Sequence, residues 1–251
     1  MRLVILLISW FLASGVVADT LRLTSGEWPP FLGAALPNQG VASRIVAEAF
    51  ALEGVEVQWE FLPWARAMQL AAQGQRAGTA VWRRNAERER QFFISEPILK
   101  TQTHLFHRKA FDFDWQTVDD LRGVRLGATR GYFYGKAFNR AEKAGELNIR
   151  RINSDEVALR QLLAGRIELF PIAKTVALDL LAQHFTVAER AQLSFHPRAL
   201  SRHNQHLLLS RQVAGNAAMI ERFNRGLARL RDSGKIAQYL LEAQQPLSAT
   251  H

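Results

Sequence analysis

Arginine is the side chain with the most to offer chemically in this sequence. Four of the eight positions in Arg83-Arg84-Asn85-Ala86-Glu87-Arg88-Glu89-Arg90 carry a guanidinium group. A guanidinium is planar, permanently charged and able to hold a carboxylate through two parallel hydrogen bonds. Arg88 is therefore either an anion anchor or the partner of Glu87, Glu89 or Glu96 on a wet surface. Taken alone, the run reads as a solvated loop flanking Arg88. A second candidate is Thr129-Arg130-Gly131, placed between a strand end and a helix start. Free backbone N–H groups and the helix dipole make such a corner an anion site. Thr129 adds a hydroxyl, Arg130 a charge, and Gly131 lets the backbone approach a ligand. Trp28, Phe31, Trp64 and Trp82 fall at strand ends or in loops. Their flat faces either wall a cleft and attract cationic groups or belong to ordinary core.

Other chemistries find no support. His104-x-x-His107 and His203-x-x-His206 lie in strand-like stretches, where residues three apart point to opposite faces, and no carboxylate is placed to complete a metal site. There is no cysteine, which excludes disulfides, thiolate catalysis, Cys-ligated zinc and a lipid-modified cysteine tether. Gly-x-Ser-x-Gly, the P-loop and His-Glu-x-x-His are absent. No catalytic residue, metal or cofactor is assigned.

The elements that must position these residues alternate between strand and helix. Val55, Val57, Trp59 and Phe61 alternate with Glu56, Gln58 and Glu60, the period of a half-buried strand. A strand over residues 21–24 precedes them and breaks at Gly26-Glu27-Trp28-Pro29-Pro30-Phe31, a turn-rich loop. Apolar spacing predicts helices over residues 43–52 and 64–72, the latter opened by Pro63, and then a strand over 79–82. The same order returns as strands at 124–127, 149–152 and 167–170. Helices are expected at 132–143, at 154–164 with Ser154 as N-cap and Gly165 beyond its end, and at 174–184. A strand at 205–209 and helices at 216–231 and 235–243 finish the chain. Repeated β-α-β order gives the α/β class with mostly parallel sheets flanked by helices. Two such units imply two lobes with a ligand cleft between them. Crossings are expected at residues 103–108 and 203–209, so that residues 19–107 and 203–251 form a discontinuous first lobe and residues 108–202 the second.

Residues 1–18 supply Arg2, an apolar run and Val16-Val17-Ala18 before Asp19, the three parts of a cleavable secretory signal. The run is shorter than the roughly 20 residues needed to span a bilayer. Removing 18 of 251 residues leaves 233, enough for two lobes of about 100 each. The net charge of +9 falls by one, to +8, because Arg2 is the only charged residue lost. The sequence pI is near 10.6; in a chain built for export this speaks against a nucleic-acid partner and suits an anionic ligand, a membrane surface or plain solubility. Export without a tether points to a Gram-negative periplasm and a soluble, unanchored protein.

The order of motifs from residue 21 to 243 resembles the bacterial periplasmic solute-binding proteins of the polar amino-acid type, family 3. The pieces are Gly26-Glu27-Trp28-Pro29-Pro30-Phe31, Phe61-Leu62-Pro63-Trp64, and Asn85-Ala86-Glu87-Arg88 followed by Phe93-Ile94-Ser95-Glu96-Pro97. Val118-Asp119-Asp120-Leu121-Arg122-Gly123, Gly127-Ala128-Thr129-Arg130-Gly131 and Leu162-Leu163-Ala164-Gly165-Arg166-Ile167-Glu168 complete the set. The resemblance implies a two-lobed, hinged trap of the type II periplasmic-binding-protein fold. It also implies a small polar solute as ligand, a membrane transporter permease or sensor as partner, and a monomer. It places Arg88 on the ligand's carboxylate, Trp28, Phe31 and Trp82 along the cleft, and Thr129, Arg130 and Gly131 at the ligand on the second lobe; Trp64 stays open between cleft and core.

The sequence departs from that family where the ligand's ammonium is expected to bind. The position that carries an aspartate in amino-acid binders is Ala173 here, followed by Lys174. Gly40-Val41-Ala42 lacks the early aspartate, and Ala77 replaces another. An anion without a free ammonium suits Arg88, Arg130 and Lys174 better than an α-amino acid. The alternatives are a degenerate trap that signals by docking alone, and an enzyme of the same fold similar to cyclohexadienyl dehydratases. In the enzyme, Glu27 or Glu168 would be the acid and Arg88 with Arg130 the clamps.

Overall fold

The strictly alternating segment is strand β2 (Val55–Phe61), which pairs in parallel with β1 (Asp19–Ser25) along its whole length. In this computed structural model residues 19–243 are described, so the signal segment lies outside the described residues. Between the two strands runs α1 (Val41–Ala51), whose apolar face of Ile45, Val46, Ala49 and Phe50 is fully buried. It packs on α8 (Asn216–Asp232), with the Phe50 and Phe223 rings 4.9 Å apart. Burying a Phe side chain contributes roughly 1.5–3 kcal/mol, so this contact anchors the C-terminal helices to the first lobe.

Helix α2 (Trp64–Ala72) follows Pro63 and returns the chain to β3 (Gly78–Trp82), parallel to β1. The Thr24 hydroxyl donates to the carbonyls of Ala67 at 2.9 Å and Gly78 at 3.2 Å, pinning α2 to the sheet. Then come α3 (Ala86–Gln91), β4 (Phe92–Ile94) and β5 (Leu99–Arg108). The second lobe repeats the plan with β6 (Leu126–Thr129), α4 (Lys136–Lys143), β7 (Ile149–Ile152), α5 (Asp155–Leu163), β8 (Leu169–Ala173) and α6 (Lys174–His184). A short α7 (Val187–Ala191) leads into β9 (Leu193–Ser210), and α9 (Lys235–Glu242) closes the described chain.

One nine-stranded sheet runs β2-β1-β3-β9-β5-β8-β6-β7, with β4 also paired to β9. Each end is a parallel triplet, and the pairs joining them, β3–β9, β9–β5 and β5–β8, are antiparallel. This is the two-lobed α/β architecture expected, curled around strands shared by both lobes. Strand β9 pairs with β5 up to Gln205 and with β3 from His206 onward. The matching change on the other segment falls at Ser95–Leu99, where the Ser95 amide still bonds Leu207 and the Ile98 amide bonds Gln205.

Three local expectations change. The helix expected over 132–143 starts only at Lys136, because Gly131 and Gly135, with φ of +81° and +122°, turn the chain twice first. The Arg83–Arg90 run is not a plain loop: α3 forms within it, capped by Asn85. The last strand, expected over five residues, has 18.

Candidate functional site

On the first lobe the site is built from the loops that follow β1 and β3. After Gly26 the Trp28 carbonyl accepts the amides of Phe31 at 2.9 Å and Leu32 at 3.1 Å, and the Trp28 and Phe31 rings lie 4.8 Å apart. Phe31 is 3% exposed and belongs to the core, whereas Trp28 is half-buried. Trp64 covers Gly26 so closely that a Cβ there would sit 2.3 Å from the indole. Its ring also meets Trp82 edge-on at 5.0 Å, and Trp82 is fixed by a 2.9 Å bond from its indole N–H to the Thr79 hydroxyl.

Just before Trp82, Val81 adopts a φ of +65° where the register against β9 shifts. A β-branched residue in the left-handed region costs about 1–3 kcal/mol, a kind of strain that clusters at functional sites. The bulge shifts the register so that Trp82 pairs with His206, and Arg83 follows as the first residue beyond the strand. The side chain of Asn85 accepts the Arg88 amide at 2.8 Å, and the Arg88 guanidinium lies 4.6 Å over the Trp82 ring. Arg88 Nη1 donates to the Arg83 carbonyl at 2.5 Å. Arg83 in turn reaches the other lobe, with Nη1 donating to the Phe133 carbonyl at 2.8 Å. Burial lowers the Arg88 pKa; burial and then the Arg88 charge pull Arg83 down to about 10. Among the described residues neither guanidinium is ion-paired, although Arg84 binds Glu89.

On the second lobe the loop after β6 satisfies its own groups. The Thr129 amide donates to the Tyr134 oxygen at 2.7 Å, the Arg130 amide to Ile152 at 2.8 Å and the Tyr132 amide to Thr129 at 3.2 Å. Arg151 donates to the Thr129 carbonyl at 2.7 Å and is ion-paired with Glu142. Burial raises the Tyr134 hydroxyl to about 12, and its oxygen serves as the amide's acceptor. The Thr129 hydroxyl donates to Asp155, whose carboxyl is pushed up by burial. Arg130 is exposed and its Nε donates to Asn153 at 3.1 Å; Gly131 has open space around it. The amides of Thr129 and Arg130 are thus committed, and no helix starts at Gly131. The exposed groups of this corner are Arg130 and the rings of Tyr132 and Phe133; Thr129 is buried and Asp155 half-buried.

A cavity of about 410 Å³ is lined by Arg83, Arg84, Arg202 and His203, with the carboxylate of Glu96 among its walls. Burial and Arg83 push His203 down to about 4. The other histidines named above are engaged locally, His104 with the His196 carbonyl at 2.9 Å and His206 with that of Ser95 at 2.8 Å. Among the described residues no group of three His, Cys, Asp or Glu side chains is arranged to hold a metal ion.

The sequence pattern of the bacterial extracellular solute-binding proteins, family 3, matches residues 23–242. The chain belongs to that family. No curated protein matches it by sequence. Among solved structures it is similar to the GluR0 ligand-binding core in complex with L-glutamate, at TM-score 0.73 and 14% identity, covering 91% of this chain and 100% of that one. It is also similar to a histidine kinase sensor domain resembling periplasmic binding proteins, at TM-score 0.71 and 17% identity, covering 90% and 96%. A third is an ancestral arginine-binding protein bound to arginine, at TM-score 0.69 and 19% identity, covering 89% and 97%. At these identities the likeness is one of fold.

Within this family 3 protein, Arg88, Trp82 and Trp64 form one stack, Trp28 stands on the neighbouring loop, and Phe31 backs Trp28 from the core. Sequence reasoning missed Arg83 and Asp155. The signal for Arg83 was its place directly after a buried strand, obscured by the charged residues that follow. Asp155 was hidden by its neighbour Ser154, whose N-cap role is borne out by a 3.2 Å bond from the Val157 amide. Ala173 ends β8 half-buried, and the Lys174 ammonium lies 4.5 Å from the Phe195 ring. Glu27 accepts the Ala34 amide at 3.1 Å, while Glu168 accepts the Arg125 amide at 2.9 Å and pairs with its guanidinium. Both acids are occupied in holding their own loops. No helix among the described residues is long and apolar enough to cross a membrane.

Proposed function

We propose that this family 3 protein captures a small polar solute bearing a carboxylate in the periplasm and hands it, as a monomer, to an ABC transporter permease or a membrane sensor. Lobe closure, with the lobes turning about the crossings at Ser95–Leu99 and Gln205–His206, would enclose the solute. The placement of Arg88 carries this reading. It is held by the Asn85 cap, lies over Trp82 and forms no ion pair among the described residues, although the Glu87 charge acts on it. A half-buried guanidinium that is not ion-paired is costly, and a ligand carboxylate offsets that cost. Trp28 and Trp82 would supply flat apolar walls, and Thr129, Arg130 and Gly131 would meet the solute from the second lobe.

Binding without catalysis fits the roles of Glu27 and Glu168, since neither is free to act as a general acid. The test is titration calorimetry of carboxylate solutes against the purified protein and Arg88→Ala. Loss of a bidentate charge-assisted contact weakens binding by about 10- to 100-fold. Unchanged affinity in Arg88→Ala would overturn the assignment.

A further inference from the structure

We propose that Arg83 is a second anion anchor and that the cleft takes a small dicarboxylate, one carboxylate held by Arg88 and the other by Arg83. The proposal rests on the binding role given to Arg88 above, and names the ligand class that such a site selects.

Arg83 occupies a singular position. It is half-buried, leaves β3 directly after the Val81 bulge, and extends across the cleft to the Phe133 carbonyl. Among the described residues, that is the one hydrogen bond joining the strand-end loops of the two lobes. A guanidinium has five N–H donors, and this contact uses Nη1 alone, leaving Nε and Nη2 free to hold a carboxylate. Arg88 is in the same condition, with Nη1 on the Arg83 carbonyl and the rest of its fork open. The two cations are near enough for the charge of Arg88 to depress the titration of Arg83. Two like charges held together under partial burial repel, and neither forms an ion pair among the described residues: the Glu87 charge acts on Arg88 without pairing with it, and Glu96 shares a cavity with Arg83. A ligand with two negative groups relieves both at once, where a monocarboxylate relieves one.

The second lobe agrees. The residue at the end of β8 is Ala173, beside the cation Lys174, so no acceptor for an ammonium stands there. The carboxylate of Asp155 already takes the Thr129 hydroxyl and interacts with the Tyr132 hydroxyl. A distal carboxylate on Arg83 would also strengthen closure, because Arg83 already grips the opposite lobe.

The experiment is calorimetric titration of the purified protein with malonate, succinate, glutarate and adipate, with propionate, butyrate, valerate and hexanoate as length-matched monocarboxylates, and with L-glutamate. One dicarboxylate is expected to bind about 10-fold or more tighter than the monocarboxylate of its length. Arg83→Ala and the milder Arg83→Gln should shrink that gap to roughly 3-fold or less, the ratio of the two affinities within each variant being the readout. Arg83→Lys should recover part of the preference. A dicarboxylate preference that survives in both Arg83→Ala and Arg83→Gln would refute the second anchor. So would L-glutamate binding more tightly than glutarate and losing that advantage in Asp155→Asn. If Arg88→Ala abolishes all carboxylate binding while the Arg83 variants match the parent, the binding role of Arg88 stands and the clamp alone fails. If no carboxylate binds the parent protein, both fall.

Discussion

Gly26→Ala tests whether the fold and the site are coupled through one indole ring. The backbone at Gly26 has an ordinary φ, so the substitution introduces no conformational strain; its effect is steric. The new Cβ would lie 2.3 Å from Trp64 Cδ2 and Cε2 and 2.5 Å from Nε1. Carbon atoms pack best near 3.5–4.0 Å, so the ring must retreat by more than about 1 Å. Trp64 cannot retreat freely, because Trp82 meets it edge-on at 5.0 Å and is itself tied to Thr79 and capped by Arg88. Overpacking of this kind costs about 1–3 kcal/mol, and the reduced freedom of the unfolded chain returns about 0.4–1 kcal/mol. A net loss of about 1–2 kcal/mol corresponds to a fall in Tm of roughly 2–8 °C for a chain of this size. Differential scanning calorimetry on Gly26→Ala, Trp64→Leu and the double variant forms a cycle, in which the double variant should be more stable than additivity predicts by about 1 kcal/mol. Arg88-dependent ligand affinity should fall with the single Gly26 change and recover little in the double variant, since the stack itself is lost. A Tm within about 1 °C of the parent, together with an additive cycle, would refute this account of the Trp64–Trp82–Arg88 stack.

Two further outcomes follow from the same packing and charge arguments. At Gly226 an added Cβ would stand 1.9 Å from the Ala49 carbonyl oxygen on α1; backbone meets backbone there, so Gly226→Ala should cost about 2–4 kcal/mol in urea unfolding, and a loss below about 0.5 kcal/mol would contradict the α1–α8 contact. His203 is pushed from 6.5 to about 4 by burial and by Arg83, so below pH 6.5 the unfolded chain takes up a proton that the folded chain refuses, and stability falls as pH drops from 6.5 toward 4. Urea unfolding across that window should show a shallower fall in His203→Gln, and an identical slope would refute the half-buried, neutral placement of His203.

What the sequence shows and what it hides divide along physical lines. Strand β2 and the caps at Ser154 and Gly165 depend on contacts within a few residues, so their patterns are visible in the chain itself. Strand β9 depends on partners far away in sequence. Residues 193–204 carry polar side chains and Pro197, and only pairing with β5 holds them extended. Phe31 and Trp28 look equivalent in sequence, yet a tight turn sends one ring into the core and leaves the other half-buried. The rigid corner around Thr129 depends on Tyr134 and on Arg151 from the neighbouring strand, a convergence that no local window contains.

The same division explains why the family is plain in this chain while its ligand is not. Glycines, caps and buried hydroxyls such as that of Thr24 fix where β1, β3, β6 and β8 end, and those ends define a cleft whatever side chains follow them. The side chains that follow are few: Arg83 and Arg88 on one lobe, Asp155, Ala173 and Lys174 on the other. Exchanging them leaves the scaffold intact and changes the charge offered to the solute, so the fold survives at identities where the ligand has changed. If Arg83 and Arg88 both hold the solute, as proposed, and Ala173 offers no carboxylate, the charge left open in the cleft is positive. That balance, which the scaffold neither requires nor forbids, is the property on which the choice of solute turns.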